Sequence, residues 1–235
     1  MTRLNDQLAN IAKVFAGQEN KDSFMDLYHE QATALFNKAT LLGYEPEFLE
    51  LVYVPVAKDI TGESHAEKFQ NLIAKLHEVR VAKGYKGSEH FQWSPLWEDK
   101  AEVFGDFGIK EEEQFFVLPP GGGKGGLFFA GMPIDKQIAK AKEFFAAQAN
   151  TDYLMPAAYV CAQILRASES ENGTKCLLDL LTCTRFPQFS EDGFIEMADG
   201  RYVPYASVYY DGQFSLDGSD GDALSGSGLQ VVVRE

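Results

Sequence analysis

Residues 115–133 read FFVLPPGGGKGGLFFAGMP, in which five glycines and one lysine separate two apolar segments. Pro119 and Pro120 have no backbone N–H to donate, so they end the first segment as a strand. A glycine run adopts almost any backbone conformation and can reverse the chain. We therefore predict a central glycine-rich β-hairpin between FFVL (115–118) and LFFA (127–130), with its tip projecting from the protein.

The tip of this hairpin does not match the loops that bind phosphate. A Walker A loop has the pattern GxxxxGK[ST]. With Lys124 as its lysine, the pattern needs glycine in place of Leu118 and serine or threonine in place of Gly125. Two interpretations remain: a solvated loop, and an arm that docks on a neighbouring subunit or ligand, where Lys124 meets a carboxylate or phosphate. The predicted interaction residues of the tip are Gly121, Gly122, Gly123, Lys124, Gly125 and Gly126.

The residues ahead of this stretch have the apolar spacing of helices. A first helix is predicted over residues 4–15, with Gly17 ending it, and a second over residues 23–42. One stripe of the second helix is expected to face the core. The residues of that stripe are Phe24, Leu27, Tyr28, Gln31, Leu35, Ala39 and Leu42.

A strand and a third helix are predicted next. FLELVYVPV (48–56) is rich in β-branched and aromatic residues, which favour strands. Pro55 cannot donate to a ladder, so we expect an edge strand or the end of a strand. Ser64 and Glu67 form an S-x-x-E capping box that predicts the start of a helix, and Gly84 is placed to end it.

Two helices and a sheet are predicted after the glycine-rich stretch. Pro133 suits the first turn of a helix that ends near Asn150. TDYLMPAAYVCAQILRA (151–167) is apolar on most faces, as expected for a buried central helix. From Gly193 onward, turn residues alternate with β-favouring runs, which predicts three or four antiparallel strands. Two hairpin signals, Asp199-Gly200 and Asp211-Gly212, lie in this part.

The order of these elements predicts the α+β class: a helical N-terminal part, a central glycine-rich β-hairpin and an antiparallel C-terminal sheet. Residues 1–235 are predicted to form a single domain. The alternative is a boundary near residue 187, between a mainly helical part (1–187) and a β-rich part (188–235).

Composition indicates which partners the protein can bind and in which cellular compartment it is expected. The formal charge of −14 repels the phosphate backbone of nucleic acids, so nucleic-acid binding is not expected. The sequence has no apolar run of about 18 residues and no signal-peptide core near its first residues, so no membrane association is expected. Cys161, Cys176 and Cys183 show no CxxC spacing and do not suggest a disulfide framework. We expect a cytoplasmic location, or a virus particle assembled in the cytoplasm.

Two tryptophans mark a second predicted interaction site. HFQWSPLWEDK (90–100) contains Trp93 and Trp97, and Pro95 between them argues against one continuous helix. Aromatic residues in irregular segments either anchor interfaces or fill the edge of a core. The sequence leaves both interpretations open.

An aspartate-rich turn is the candidate metal site. LDGSDGDALSGSG (216–228) holds Asp217, Asp220 and Asp222, and Ca²⁺ prefers clustered oxygen ligands of this kind. The EF-hand pattern fails because Ser219 and Gly221 stand at positions that need acidic or amide side chains. The alternative is a turn in which the aspartates accept hydrogen bonds from the backbone. Apart from this calcium site, no cofactor is predicted.

Spacings typical of catalytic sites are missing from the sequence. The four histidines form no HExxH or HxxxH pair, and no GxSxG motif is present. The leading hypothesis is therefore a non-catalytic assembly protein whose partners are protein subunits, such as a homo-oligomer or a subunit of a phage-like particle. The alternatives are an enzyme or small-ligand-binding protein with a dispersed pocket, and an acidic inhibitor or DNA mimic.

If the glycine-rich tip is an assembly arm, shortening it should reduce the oligomer. Replacing residues 121–126 with a two-residue turn removes the arm, and we expect the mass to fall towards the 26.1 kDa of one chain. Size exclusion coupled to light scattering compares the two proteins. A monomeric intact protein, or a shortened variant that keeps the mass of the intact one, would contradict the prediction.

Overall fold

The structure is a computed structural model that describes residues 2–86, 92–122, 126–171, 173, 182–208, 213–223 and 226–234. Helices concentrate before residue 170 and antiparallel strands dominate the C-terminal part, so the predicted α+β class is confirmed. The helices are α1 (Thr2–Ile11), α2 (Lys21–Leu41), α3 (His65–Ala82), α4 (Pro95–Asp99), α5 (Ile134–Ala147) and α6 (Pro156–Glu169). The strands are β1 (Glu50–Val54), β2 (Gln92–Trp93), β3 (Gln114–Leu118), β4 (Thr151–Tyr153), β5 (Cys183–Arg185), β6 (Ile195–Met197), β7 (Gly200–Val208), β8 (Phe214–Ser219), β9 (Ser227–Gly228) and β10 (Val231–Val233).

The first sheet is antiparallel and has the strand order β1-β3-β10-β4. Its register pairs Leu51 of β1 with Val117 of β3, and Val233 of β10 with the same Val117. β1 is an edge strand that ends one residue before Pro55, which confirms the prediction made from that proline.

The predicted hairpin across the glycine-rich loop is not formed by paired strands. Both edges of β3 are occupied, one by β1 and the other by β10, so the segment after the loop has no edge of β3 to join. That segment instead pairs elsewhere, through reciprocal hydrogen bonds between Phe128 and Leu229 of 2.7 and 2.9 Å. The loop does close on itself, because the Gly121 N–H donates to the Gly126 carbonyl at 2.7 Å.

The second sheet has the strand order β2-β8-β7-β5-β9, with β6 paired to β7. Its inner pairs are antiparallel, as predicted, whereas β2 with β8 and β5 with β9 are parallel. The hairpin signal at Asp199-Gly200 is confirmed, since β6 and β7 pair directly around it, with Met197 opposite Gly200. The second signal, Asp211-Gly212, lies outside the described residues.

Helices cover both faces of the first sheet, and alternate residues of β1 point to opposite sides. Leu51 and Tyr53 belong to the hydrophobic cluster of α1 and α2. Val52 and Val54 belong to the larger cluster that contains α3 and α6. A strand buried on both faces needs apolar residues at consecutive positions, which explains the run LVYV in β1.

α6 lies at the centre of the larger cluster, as its apolar sequence predicts, but it begins at Pro156 and not at residue 151, because Thr151–Tyr153 pairs with β10 as β4. Its side chains are buried from Pro156 to Leu165, and Tyr159 packs edge-on against Phe186 at 5.8 Å between ring centroids. The buried start of α6 has no side-chain cap. Instead, the Ala157 N–H donates to the Phe107 carbonyl at 2.9 Å, which satisfies one of the donors left open at a helix start.

Residues on both sides of position 187 share this larger cluster. Val54 and Tyr159 precede that position, and Phe214 and Val232 follow it. The division of the chain into one domain or two stays a prediction.

None of the described helices combines the length and the apolar character that crossing a membrane requires.

The predicted capping box of α3 is confirmed and generates a stability prediction. Ser64 Oγ accepts the Glu67 N–H at 3.2 Å, and Glu67 Oε2 accepts the Ser64 N–H at 3.2 Å. Backbone hydrogen bonds from Glu63 and Ser64 lower the pKa of Glu67. The stabilisation by that carboxylate is complete above the ordinary carboxyl pKa and is lost as the pH falls through the lowered value.

We expect Ser64→Ala to lower the free energy of unfolding by about 1 kcal/mol, because it leaves a helix N–H without its acceptor. Urea unfolding at neutral pH measures the change. The matched control is Ser23→Ala in the first turns of α2, where the serine is exposed and caps no helix. Equal losses in the two variants would show that the cap itself contributes nothing.

Candidate functional site

The base of the glycine-rich loop is tightly packed around Gly121. A Cβ atom on Gly121 would lie 2.4 Å from the carbonyl carbon of Leu127 and 2.6 Å from the carbonyl oxygen of Gly126. A Cβ atom on Gly122 would meet nothing within 4 Å. Glycine is therefore required at the loop base and not at the next position. Gly123, Lys124 and Gly125, the tip of the predicted interaction site, lie outside the described residues.

Trp97 belongs to the core and not to an exposed interface. Its side chain is fully buried, and its indole ring stacks on Phe104 with 4.1 Å between centroids. The indole N–H donates to the Asp217 carbonyl at 3.0 Å, so its one polar atom is satisfied inside the protein. Of the two interpretations left open by the sequence, Trp97 takes the core role. Trp93 lies in β2 opposite Leu216, and its side chain is outside the described part of the structure.

The three aspartates of the predicted calcium site do not converge on one point. Asp217 accepts the Gly218 N–H and Asp220 accepts the Asp222 N–H, which are the turn hydrogen bonds of the alternative interpretation. Among the described residues, no group of three or more His, Cys, Asp or Glu side chains is arranged to hold a metal ion. The guanidinium of Arg185 donates to the Asp222 carbonyl at 2.7 Å, and its positive charge opposes a cation there. Calcium binding stays a prediction that this geometry does not favour.

Cys161 is a buried thiol of the core. It lies inside α6 with no exposed surface, and burial raises the pKa of its thiol well above the ordinary value. Because the thiolate is the nucleophilic form, this environment makes Cys161 chemically inert at neutral pH.

A cleft of about 430 Å³ lies between α1, β1 and α6. An ion pair forms part of its lining: Arg166 donates from Nε and from one terminal nitrogen to the two carboxylate oxygens of Glu50, both at 2.7 Å. Glu169 also lines the cleft, and partial burial together with the charge of Glu50 raises its pKa above the ordinary carboxyl value. The cleft thus combines an apolar wall with charges of both signs.

The same ion pair borders a second, smaller cleft at the base of the glycine-rich loop. That cleft is lined by Pro119, Pro120 and Gly126 in addition to Glu50 and Arg166. The loop base and the larger cleft are therefore neighbours. Sequence reasoning missed this arrangement because Glu50 and Arg166 are 116 positions apart, and no local spacing connects them.

The solvent side of α2 carries a row of apolar residues. The helix buries Phe24, Leu35 and Ala39 against the first sheet, but leaves Leu27 69% exposed and Leu41 88% exposed. The exposed Ala34 lies midway between the two leucines. Residues seven apart fall on the same side of a helix, about two turns from each other. We call Leu27, Ala34 and Leu41, with the flanking Glu30 and Lys38, the α2 face.

The α2 face corrects one prediction from the sequence. Leu27 was expected on the core-facing stripe of the second helix, whereas it points to solvent. The apolar positions of α2 extend around more of the helix than one core-facing stripe, so periodicity assigned Leu27 to the wrong side. The spacing 27, 34 and 41 was the available signal for a second apolar row.

Comparisons with protein-family models, with curated proteins and with solved structures found no match to this chain.

The packing at the loop base predicts different outcomes for two neighbouring glycines. We expect Gly121→Ala to lower the free energy of unfolding by about 1–3 kcal/mol, because the new methyl group collides with backbone atoms that cannot move independently. Gly122→Ala is the matched control and should leave the stability almost unchanged. Thermal and urea unfolding of both variants measure the difference. If both alanines are tolerated equally, the loop base is not packed as described.

Proposed function

We propose that this protein is a non-catalytic assembly subunit that acts through protein–protein contacts, as in a homo-oligomer or a phage-like particle. The observation that carries the proposal is the α2 face. Single exposed apolar residues are ordinary on protein surfaces, but Leu27, Ala34 and Leu41 repeat every seven residues, which is the spacing of a helix side that packs against another helix.

The exposure of the two leucines sets the energy available for such a contact. Full burial of a leucine side chain contributes about 1.5–3 kcal/mol relative to full exposure. Leu27 and Leu41 already lie on a formed helix, so a partner covers them without ordering new backbone. The opposite side of α2 is held by the aromatic cluster of Phe24, Tyr53 and Phe115, which fixes the direction in which the α2 face points.

A second candidate function is the binding of a small ligand in the cleft between α1, β1 and α6. Its volume of about 430 Å³ lies within the usual range for ligand sites, and the Glu50–Arg166 pair places polar groups in its lining. The two functions differ in their effect on thermal stability. Assembly makes the melting temperature rise with protein concentration, whereas a ligand in the cleft raises it at any fixed protein concentration.

Introducing a charge into the α2 face should dissociate the assembly. We expect Leu41→Asp to yield a folded chain of about 26.1 kDa under conditions where the unmodified protein is larger, because the contact would then bury an unpaired carboxylate. Size exclusion coupled to light scattering over a hundredfold range of protein concentration measures the mass.

The matched control is Val81→Asp, which places the same charge at a half-exposed valine of α3. This variant should keep the mass of the unmodified protein. The proposal fails if the unmodified protein is a monomer throughout the range, or if Leu41→Asp leaves the oligomer intact.

A further inference from the structure

We propose that the α2 face binds the α2 face of a second copy of this chain, with the two helices antiparallel and a two-fold axis passing beside Ala34. This inference rests on the proposed assembly function and names its partner. Such an axis places the residue k positions after Ala34 in one copy opposite the residue k positions before Ala34 in the other. The sequence of the α2 face is complementary to itself under that rule.

The two-fold axis pairs the apolar residues of the α2 face with one another. Leu27 and Leu41 are each seven residues from Ala34, so Leu27 of either copy lies opposite Leu41 of the other. Each leucine pair lies about 10 Å along the helix from the axis, on either side of it. The small Ala34 at the centre lets the two backbones approach closely, while the leucines close the contact at both ends.

The same axis places charged residues of opposite sign opposite one another. Glu30 and Lys38 are each four residues from Ala34, so the pairing brings Glu30 of one copy to Lys38 of the other, twice per dimer. In the described part of the chain Glu30 takes part in no ion pair. Lys38 donates to the Arg234 carbonyl at 3.2 Å, and its ammonium group has further hydrogens to donate.

The charge pattern distinguishes the antiparallel dimer from other arrangements. Parallel helices in register would place Glu30 beside Glu30 and Lys38 beside Lys38, which is repulsive. An unrelated partner would not require residues on the two sides of Ala34 to complement one another. Exposed ion pairs contribute little affinity but select the orientation, which is the role that Glu30 and Lys38 have here. They also oppose the general repulsion between two chains that each carry a charge of −14.

Charge reversal tests the pairing. Glu30→Lys and Lys38→Glu each place like charges opposite one another, and we expect each to raise the dimer dissociation constant roughly five- to thirty-fold. The double variant restores opposite charges across the axis, and we expect its dissociation constant to return to within about twofold of the original. Sedimentation equilibrium measures the constants, and circular dichroism checks that each variant is folded.

A cysteine placed on the axis gives a second, independent measurement. Ala34→Cys puts two thiols beside the axis, within reach of a disulfide, and mild oxidation should yield a covalent dimer linked through position 34. Asn37→Cys is the matched control: its exposed position lies opposite Gln31 of the other copy and not opposite itself. The two cysteines at position 37 are then about 9 Å apart along the helices and should cross-link poorly.

The outcomes separate this inference from the function on which it rests. If the protein self-associates and Leu41→Asp dissociates it, but the double charge variant stays weak or position 37 links as well as position 34, the antiparallel pairing is overturned and the assembly function stands. If the unmodified protein is a monomer at every concentration, both are overturned. Rescue by the double variant together with selective linkage at position 34 supports both.

Discussion

The burial of α6 is the constraint on which the described fold depends. A helix apolar on nearly all its faces cannot lie at a surface, so other elements must cover it on every side. The first sheet and α3 cover it in part, and the aromatic residues Phe186 and Phe214 of the second sheet region pack against its Tyr159. Even its first turn is buried, and there the Phe107 carbonyl takes the place of a side-chain cap.

The position of α6 also determines where polar groups collect. Arg166 is the residue at which α6 reaches the edge of the core, and its guanidinium meets Glu50 at the start of β1. Because Glu50 of β1 pairs with Leu118 of β3, and β3 leads into the glycine-rich loop, the ion pair borders both the α1–β1–α6 cleft and the loop base. The tight contact at Gly121 is made by the loop itself, because the Gly121 N–H donates to the Gly126 carbonyl and brings the two ends of the loop together.

α2 differs from α6 in that one of its two apolar sides remains uncovered. Its inner side is held by aromatic contacts with Tyr53 and Phe115, while Leu27 and Leu41 on the outer side face solvent. Both sides are apolar in sequence, and in the described part of the chain the first sheet covers the inner side. A second copy would cover the outer side with residues that complement it, which connects the proposed assembly to the architecture of the monomer.

Three elements were predicted correctly from local signals in the sequence. They are the capping box at Ser64 and Glu67, the edge strand before Pro55 and the buried helix around Cys161. Each of these signals depends on neighbouring residues alone. The partners of those elements depended on tertiary structure. β10 occupies the edge of β3 that the predicted hairpin needed, Trp97 is covered by residues distant in sequence, and Glu50 meets Arg166 across 116 positions. The spacing of apolar residues indicates that one side of a helix is apolar. Whether other residues cover that side depends on the other elements of the fold. The sequence by itself therefore determined the main helices and the ends of β1, because caps, prolines and apolar spacing act locally. Tertiary structure alone decided that Thr151–Tyr153 forms a strand where the sequence predicted helix, that LFFA (127–130) forms none, and that Leu27 and Leu41 remain exposed.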